Sequence, residues 1–258
     1  MQTLVYVDPS PRGEWALAMA ALLPPAWRSS VRLVATAEDL AAHPGLLERA
    51  RAGLREAGSV VEAVLPGPAE RAVVAEANHR RYDVLVVPPA GRGAIARMLK
   101  GSRVATVVHS VRAPVLVARR PPVRLERVLA AVSGGSTTAA VVRMGRALAE
   151  GVSAELRFLH VACEVALPHA PGGHPAEGVP SIEGVRRILG EAGVAPDRLL
   201  EREGLVIDEV LEEFEGGAHH LLVLGARRGA GEAAWGREDV TERILLRCPG
   251  STLIVPGD

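Results

Sequence analysis

The sequence predicts an α/β fold built as two tandem doubly wound parallel-sheet domains. Three observations carry that expectation. Short apolar runs alternate with helix-length stretches, the alternation starts again after a proline-rich break, and matched positions in the two halves keep constant spacings.

Thr3 to Val7 reads as a short buried strand ended by Asp8-Pro9-Ser10-Pro11. A helix is predicted from Arg12 to Leu23, with Ser10 placed to cap it and Pro11 suited to its first turn. Val31 to Thr36 is strand-like, and Ala37 to Ala57 carries Leu40, Leu46, Leu47 and Leu54 on a helical period before Gly58 stops it. Val60 to Leu65 is the next strand and Pro68 to Arg80 an alanine-rich helix. Asp83 to Val87, a glycine-bearing loop from Pro88 to Arg103, a helix over Val104 to Val111 and a strand from Pro114 to Ala118 complete the first unit. Strands alternating with helices of this length call for a parallel sheet covered on both faces.

Arg119-Arg120-Pro121-Pro122 then breaks the pattern, so residues 119–124 are expected as a linker between domains at 1–118 and 125–258. Arg127 to Val132 matches the first strand, Thr137 to Glu150 the first helix and Ala154 to Val161 the second strand. Ser133 stands where Asp8 stood and Val161 where Thr36 stood, both 125 residues on. Gly204 with Gly67, His220 with Asp83 and Leu253 with Leu116 are 137 apart. One insertion of 12 residues accounts for both spacings, and it coincides with Cys163 to Pro180, a Pro/Gly/His-rich segment without periodicity. A tandem duplication follows.

Composition bounds the function. The 258 residues are enough to bury a substantial core. The formal net charge of zero gives no reason to expect nucleic acid or an acidic membrane as partner. No apolar run approaches the roughly 18 residues of a membrane span, so a soluble, cytoplasmic protein is expected. Cys163 and Cys248 are the only cysteines and have no metal-ligand spacing. Lys100 is the only lysine among 30 basic residues, a bias shared by heat-adapted and GC-rich sources.

The loop between the fourth strand and fourth helix carries the chemistry. Arg92, Arg97, Lys100 and Arg103 give it four positive charges, with no carboxylate between Gly91 and Arg103. Backbone N–H groups in a glycine-bearing loop at a helix start can face an anion. The residues resemble a tandem universal stress protein. That family's domain has an Asp after its first strand and a Gly-x2-Gly-x9-Gly-Ser/Thr loop, and here Asp8 takes the Asp position while Gly91, Gly101 and Ser102 fit the loop. Pro88 stands where the family has its first glycine. Proline lacks an N–H and fixes φ, so that start of the loop must be remodelled.

The resemblance implies a Rossmann-like domain, akin to the adenine nucleotide alpha hydrolases. It also implies an adenine-nucleotide site made of Asp8, Ser10, Thr36, Gly91, Lys100, Gly101, Ser102 and Arg103. Asp8 would accept hydrogen bonds from ribose or adenine, and the backbone at Thr36 would meet the base. Lys100, Ser102, Arg103 and the glycine N–H groups would take the phosphates of ATP, ADP or AMP, with Mg accompanying them. It implies a non-catalytic stress-response role, with the two halves paired through their last strands, Pro114 to Ala118 and Thr252 to Val255, and with a further homodimer open. The second half replaces Asp8 by Ser133 and the loop's Gly-Ser by Glu238-Asp239, so no nucleotide is expected there.

Two other classes compete. One is a structural or protein-interaction module without nucleotide, motivated by Pro88. The other is an enzyme, a slow ATP hydrolase or an adenylating enzyme at Ser133-Gly134-Gly135-Ser136, which resembles the loop of PP-loop pyrophosphatases but has Thr137 in place of that loop's Asp. His160, His169, His174, His219 and His220 match no standard metal spacing. Glu209, Glu212, Glu213 and Glu215 read as the solvated face of a helix.

Overall fold

Uninterrupted apolar runs such as Val84–Val87 become strands near the middle of the sheet, and both edge strands carry charge. The computed structural model describes residues 1–89, 110–162, 181–226 and 240–257. The first half runs β1 (Gln2–Tyr6), α1 (Gly13–Ala21), β2 (Ser30–Thr36), α2 (Ala37–Ala42), α3 (Leu46–Gly53), β3 (Val60–Leu65), α4 (Ala69–His79), β4 (Val84–Val87) and β5 (Val115–Val117). The second runs β6 (Arg127–Ala131), α5 (Thr138–Val152), β7 (Glu155–Ala162), α6 (Ile182–Glu191), β8 (Leu199–Glu203), α7 (Val206–Gly216), β9 (Leu221–Ala226), α8 (Val240–Arg247) and β10 (Ser251–Pro256).

The strands form one ten-stranded sheet in the order β3-β2-β1-β4-β5-β10-β9-β6-β7-β8. Every neighbouring pair is parallel except β5 and β10, which run antiparallel with Leu116 opposite Leu253. Each half is doubly wound, and its strand order reverses beside its first strand, at β1/β4 and at β6/β9. Alternation along β1 sends Val5 and Val7 into one core and Leu4 and Tyr6 into another. The Val5 core is continuous across both halves and includes Leu116, Leu253, Leu148 and Phe158. Arg119, the residue expected to open the linker, is fastened to the second half. Its guanidinium donates to the carbonyls of Leu245 (2.7 Å) and Cys248 (2.6 Å), and its amide donates to the Ser251 hydroxyl (3.0 Å).

Three expectations are corrected. The stretch Ala37 to Ala57 is two short helices, because Pro44 disfavours helix at His43 and the chain restarts only at Leu46. Ser10 stands two residues before the cap position of α1, which Arg12 occupies without a side-chain bond, yet the Ser10 hydroxyl still accepts the Gly13 amide at 3.3 Å while donating to Asp8. Glu213 is buried on α7 rather than solvated, where its carboxylate accepts from Arg202 (2.5 Å) and lies 3.3 Å from His219 Nε2. Burial holds the His219 pKa below its ordinary value, against the pull of Glu213. The insertion from Cys163 to Pro180, the acidic pair Glu238-Asp239 and the predicted helix from Val104 as far as His109 lie outside the described residues.

Candidate functional site

Open parallel sheets bind ligands beyond the carboxyl ends of their strands, where the strand order reverses. In the first half that place is the gap between β1 and β4, and Asp8 stands two residues past the end of β1. β1 and β2 pair with Tyr6 opposite Val34, so Asp8 and Thr36 each lie two residues beyond the last matched pair of neighbouring strands. Ser10 completes the group. Its amide and hydroxyl both donate to Asp8 Oδ1, at 3.0 and 2.5 Å. Among the described residues Oδ2 accepts no hydrogen bond, although Asp8 is only 8% exposed.

This burial has an electrostatic consequence. Desolvation raises the Asp8 pKa most, the two Ser10 bonds oppose it, and nearby Asp39 raises it further. A carboxyl whose folded pKa lies above its unfolded value contributes stability at low pH, and that contribution is lost as pH rises through the folded pKa. Asp8→Asn is therefore expected to raise the urea midpoint at pH 7, with the difference from wild type closing toward about pH 4 and below. A lower midpoint for the variant at pH 7 would contradict this account.

Thr36 sits at the start of α2 and is buried. Its hydroxyl donates to Asp39 Oδ2 (2.6 Å) and accepts from the Asp39 amide (3.1 Å), while its own amide donates to the same carboxylate (3.1 Å). The Tyr6 hydroxyl donates to Asp39 as well (2.9 Å), and burial followed by Asp39 drives the phenol pKa upward. Tyr6 and Asp39 thus hold the Thr36 end of the group, and neither was foreseen. An Asp three residues after Thr36 is a capping-box spacing that could have signalled the second. Gly13 is the other unforeseen member: a Cβ there would lie 2.0 Å from the Asp8 carbonyl oxygen and 2.8 Å from Oδ1.

A cleft of about 270 Å³ lies past the carboxyl end of β5, bordered by Arg12, Trp15, Pro89, Arg119, Arg120, Cys248 and Pro249; Asp8, Ser10 and Thr36 do not line it. The Arg12 guanidinium lies 6.0 Å from the Trp15 ring centre, a cation–π arrangement. Burial is the main cause lowering the Arg119 pKa, and Arg12 lowers it further. Arg12 and Arg119 thus place two guanidinium groups at the carboxyl end of β5, the second already donating to the Leu245 and Cys248 carbonyls. Gly91, Lys100, Gly101, Ser102 and Arg103, the remaining predicted site residues, lie outside the described residues.

The second half is arranged differently at the same point. Asp8 is replaced by Ser133, whose hydroxyl accepts from the Gly135 amide (3.3 Å), and the Gly134 amide donates to Thr138 (3.0 Å). The Gly134 and Gly135 N–H groups, two of those the adenylating reading would aim at an anion, are thus bonded to the loop and to the start of α5. The Thr137 hydroxyl would stand 2.3 Å from a Cβ on Gly225, and Thr241 donates to the Gly225 carbonyl (3.0 Å), so threonine side chains close on β9 at the reversal of strand order. His160 is buried with Nδ1 3.0 Å from the Val132 carbonyl, and His220 accepts the Glu126 amide at 3.1 Å. Among the described residues no three His, Cys, Asp or Glu side chains gather as a metal site, and no helix is long and apolar enough to cross a membrane.

The chain is similar in fold to solved structures along its whole length. A candidate universal stress protein from Pseudomonas aeruginosa UCBPP-PA14 matches all of this chain (100%) and 93% of its own, with a TM-score of 0.72 at 17% identity. A universal stress protein from Archaeoglobus fulgidus DSM 4304 matches 100% of this chain and 97% of its own, with a TM-score of 0.71 at 16% identity. No curated protein matches the sequence. The model of the universal stress protein family matches residues 2–119 and again residues 124–256. The chain therefore belongs to the universal stress protein family, whose domain it carries twice in tandem.

Proposed function

We propose that the first half, taken as a domain over residues 1–118, binds an adenine nucleotide without acting on it, and that the second half is its non-binding structural partner. The observation that carries this reading is Asp8: a mostly buried carboxylate at the reversal of strand order, oriented by Ser10 through one oxygen and with no hydrogen bond from the described residues to the other. A ribose or amino-group donor satisfies such an oxygen. Arg12 and Arg119 supply positive charge on the phosphate side, where Mg²⁺ would arrive with ATP. Thr36 and Asp39 are bonded to each other, so they shape the base pocket rather than donate to the ligand.

Calorimetry with ATP, ADP and AMP tests the reading. One nucleotide per chain is expected, and Asp8→Ala should weaken it about 10- to 100-fold, as loss of a charged hydrogen bond does. No heat with any of the three at about 1 mM, or an Asp8→Ala variant that binds like wild type, would refute it. Pro88 favours a second reading, an interaction module without nucleotide, because proline removes an N–H where the family uses glycine. The same titration separates the two.

A further inference from the structure

A second concavity lies at the opposite edge of the first half's sheet from Asp8. It is a groove of about 710 Å³ at the amino ends of β1, β4 and β5, closed on its other side by α5 and the carboxyl end of β10. Because β5 and β10 are antiparallel, the seam brings these opposite strand ends together. The volume is that of a small-molecule site.

The lining is divided by chemistry. Trp27, Ala113, Met144 and Val255 give it apolar surface. Arg80, Arg81 and Arg112 contribute guanidinium groups from the first half, and Arg143 contributes one from α5. Asp83 is the only carboxylate among the described lining residues, and its Oδ2 already accepts the Gln2 amide at 2.6 Å. Arg80 pairs with Glu76 at 3.7 Å. Arg81 and Arg143, both exposed, make no ion pair with any described carboxylate. Arg81 and Arg143 thus bring cationic side chains to one groove from the two halves of the chain.

We propose that this groove binds a small organic anion, a carboxylate or phosphate carried on an apolar body, with Arg81 and Arg143 gripping the anionic group from the two halves. Its apolar part would lie along Met144 and Ala113. Charge complementarity selects the anion, and a groove of about 710 Å³ that combines four arginines with apolar surface suits a small molecule. The site is independent of Asp8 and stands whether or not the first half binds nucleotide.

The test uses the full chain with 2-naphthoate and 1-naphthyl phosphate as probes and 2-naphthol as their uncharged counterpart. Saturable binding of one probe per chain is expected by calorimetry, weakened by added salt. The double variant Arg81→Glu, Arg143→Glu should lose roughly tenfold or more in affinity. Both positions are exposed, so an unchanged circular dichroism melt is expected alongside. Asp8→Asn should bind the probes as wild type does, which distinguishes this groove from the nucleotide site. The proposal is overturned if neither probe binds by about 1 mM, if 2-naphthol competes equally, or if the double variant binds unchanged. Binding of an acidic peptide without binding of either small probe would also overturn it, in favour of a protein partner.

Discussion

Gly13→Ala is expected to cost the protein about 3 kcal/mol and, with it, most of the nucleotide affinity proposed for the first half. The added methyl would lie 2.0 Å from the Asp8 carbonyl oxygen, far inside contact distance, and the obstacle is backbone rather than a side chain that can swing away. Either the start of α1 must move or the turn carrying Asp8 and Ser10 must. Both movements displace the carboxylate from the end of β1, so urea midpoint and calorimetric affinity should fall together. Gly53→Ala is the matched control: it lies at the end of α3 with nothing within 4 Å of the new methyl, and it should leave stability unchanged or slightly raised. If Gly13→Ala behaves like Gly53→Ala, Asp8 is not held by the packing described here.

Truncation at the seam should be of similar size. Leu116 and Leu253 face each other across β5 and β10, are fully buried and belong to the core that runs through both halves. Leu253→Ala and Leu116→Ala are each expected to destabilise by about 2–5 kcal/mol, the spread reflecting how far the cavity collapses. The double variant should cost less than the two single losses together, since residues in contact do not act independently. Wild type should unfold in one transition. Two well-separated transitions in urea, with Leu253→Ala shifting only one of them, would show that the halves do not share a core.

Much of this architecture was legible in the sequence because inner strands advertise themselves. Val84–Val87 and Leu221–Ala226 are apolar throughout, and no other element type needs such runs between turns. Edge strand β8 (Leu199–Glu203) was harder: its sequence LLERE is two leucines followed by charge, as suits a strand paired on one side only. The helix after β2 was misjudged because leucine periodicity continues smoothly through Pro44, which local backbone sterics do not permit. Glu213 was misjudged because composition counts charges without partners, and its partners Arg202 and His219 come from β8 and the turn before β9. Of the candidate site, Asp8, Ser10 and Thr36 could be named from a motif. Tyr6, Asp39 and Gly13 act through packing and hydrogen bonds across strands, and spacing along the chain carries little of that information.

The antiparallel meeting of β5 and β10 also fixes a ratio. In a partnership between separate chains, dilution would dissolve the pairing, and any copy could meet any other. Here a covalent tether keeps each first half at a high effective concentration of its own second half. If the first half alone takes nucleotide as proposed, each chain carries one nucleotide site, and the tether keeps its closed partner beside it at every protein concentration.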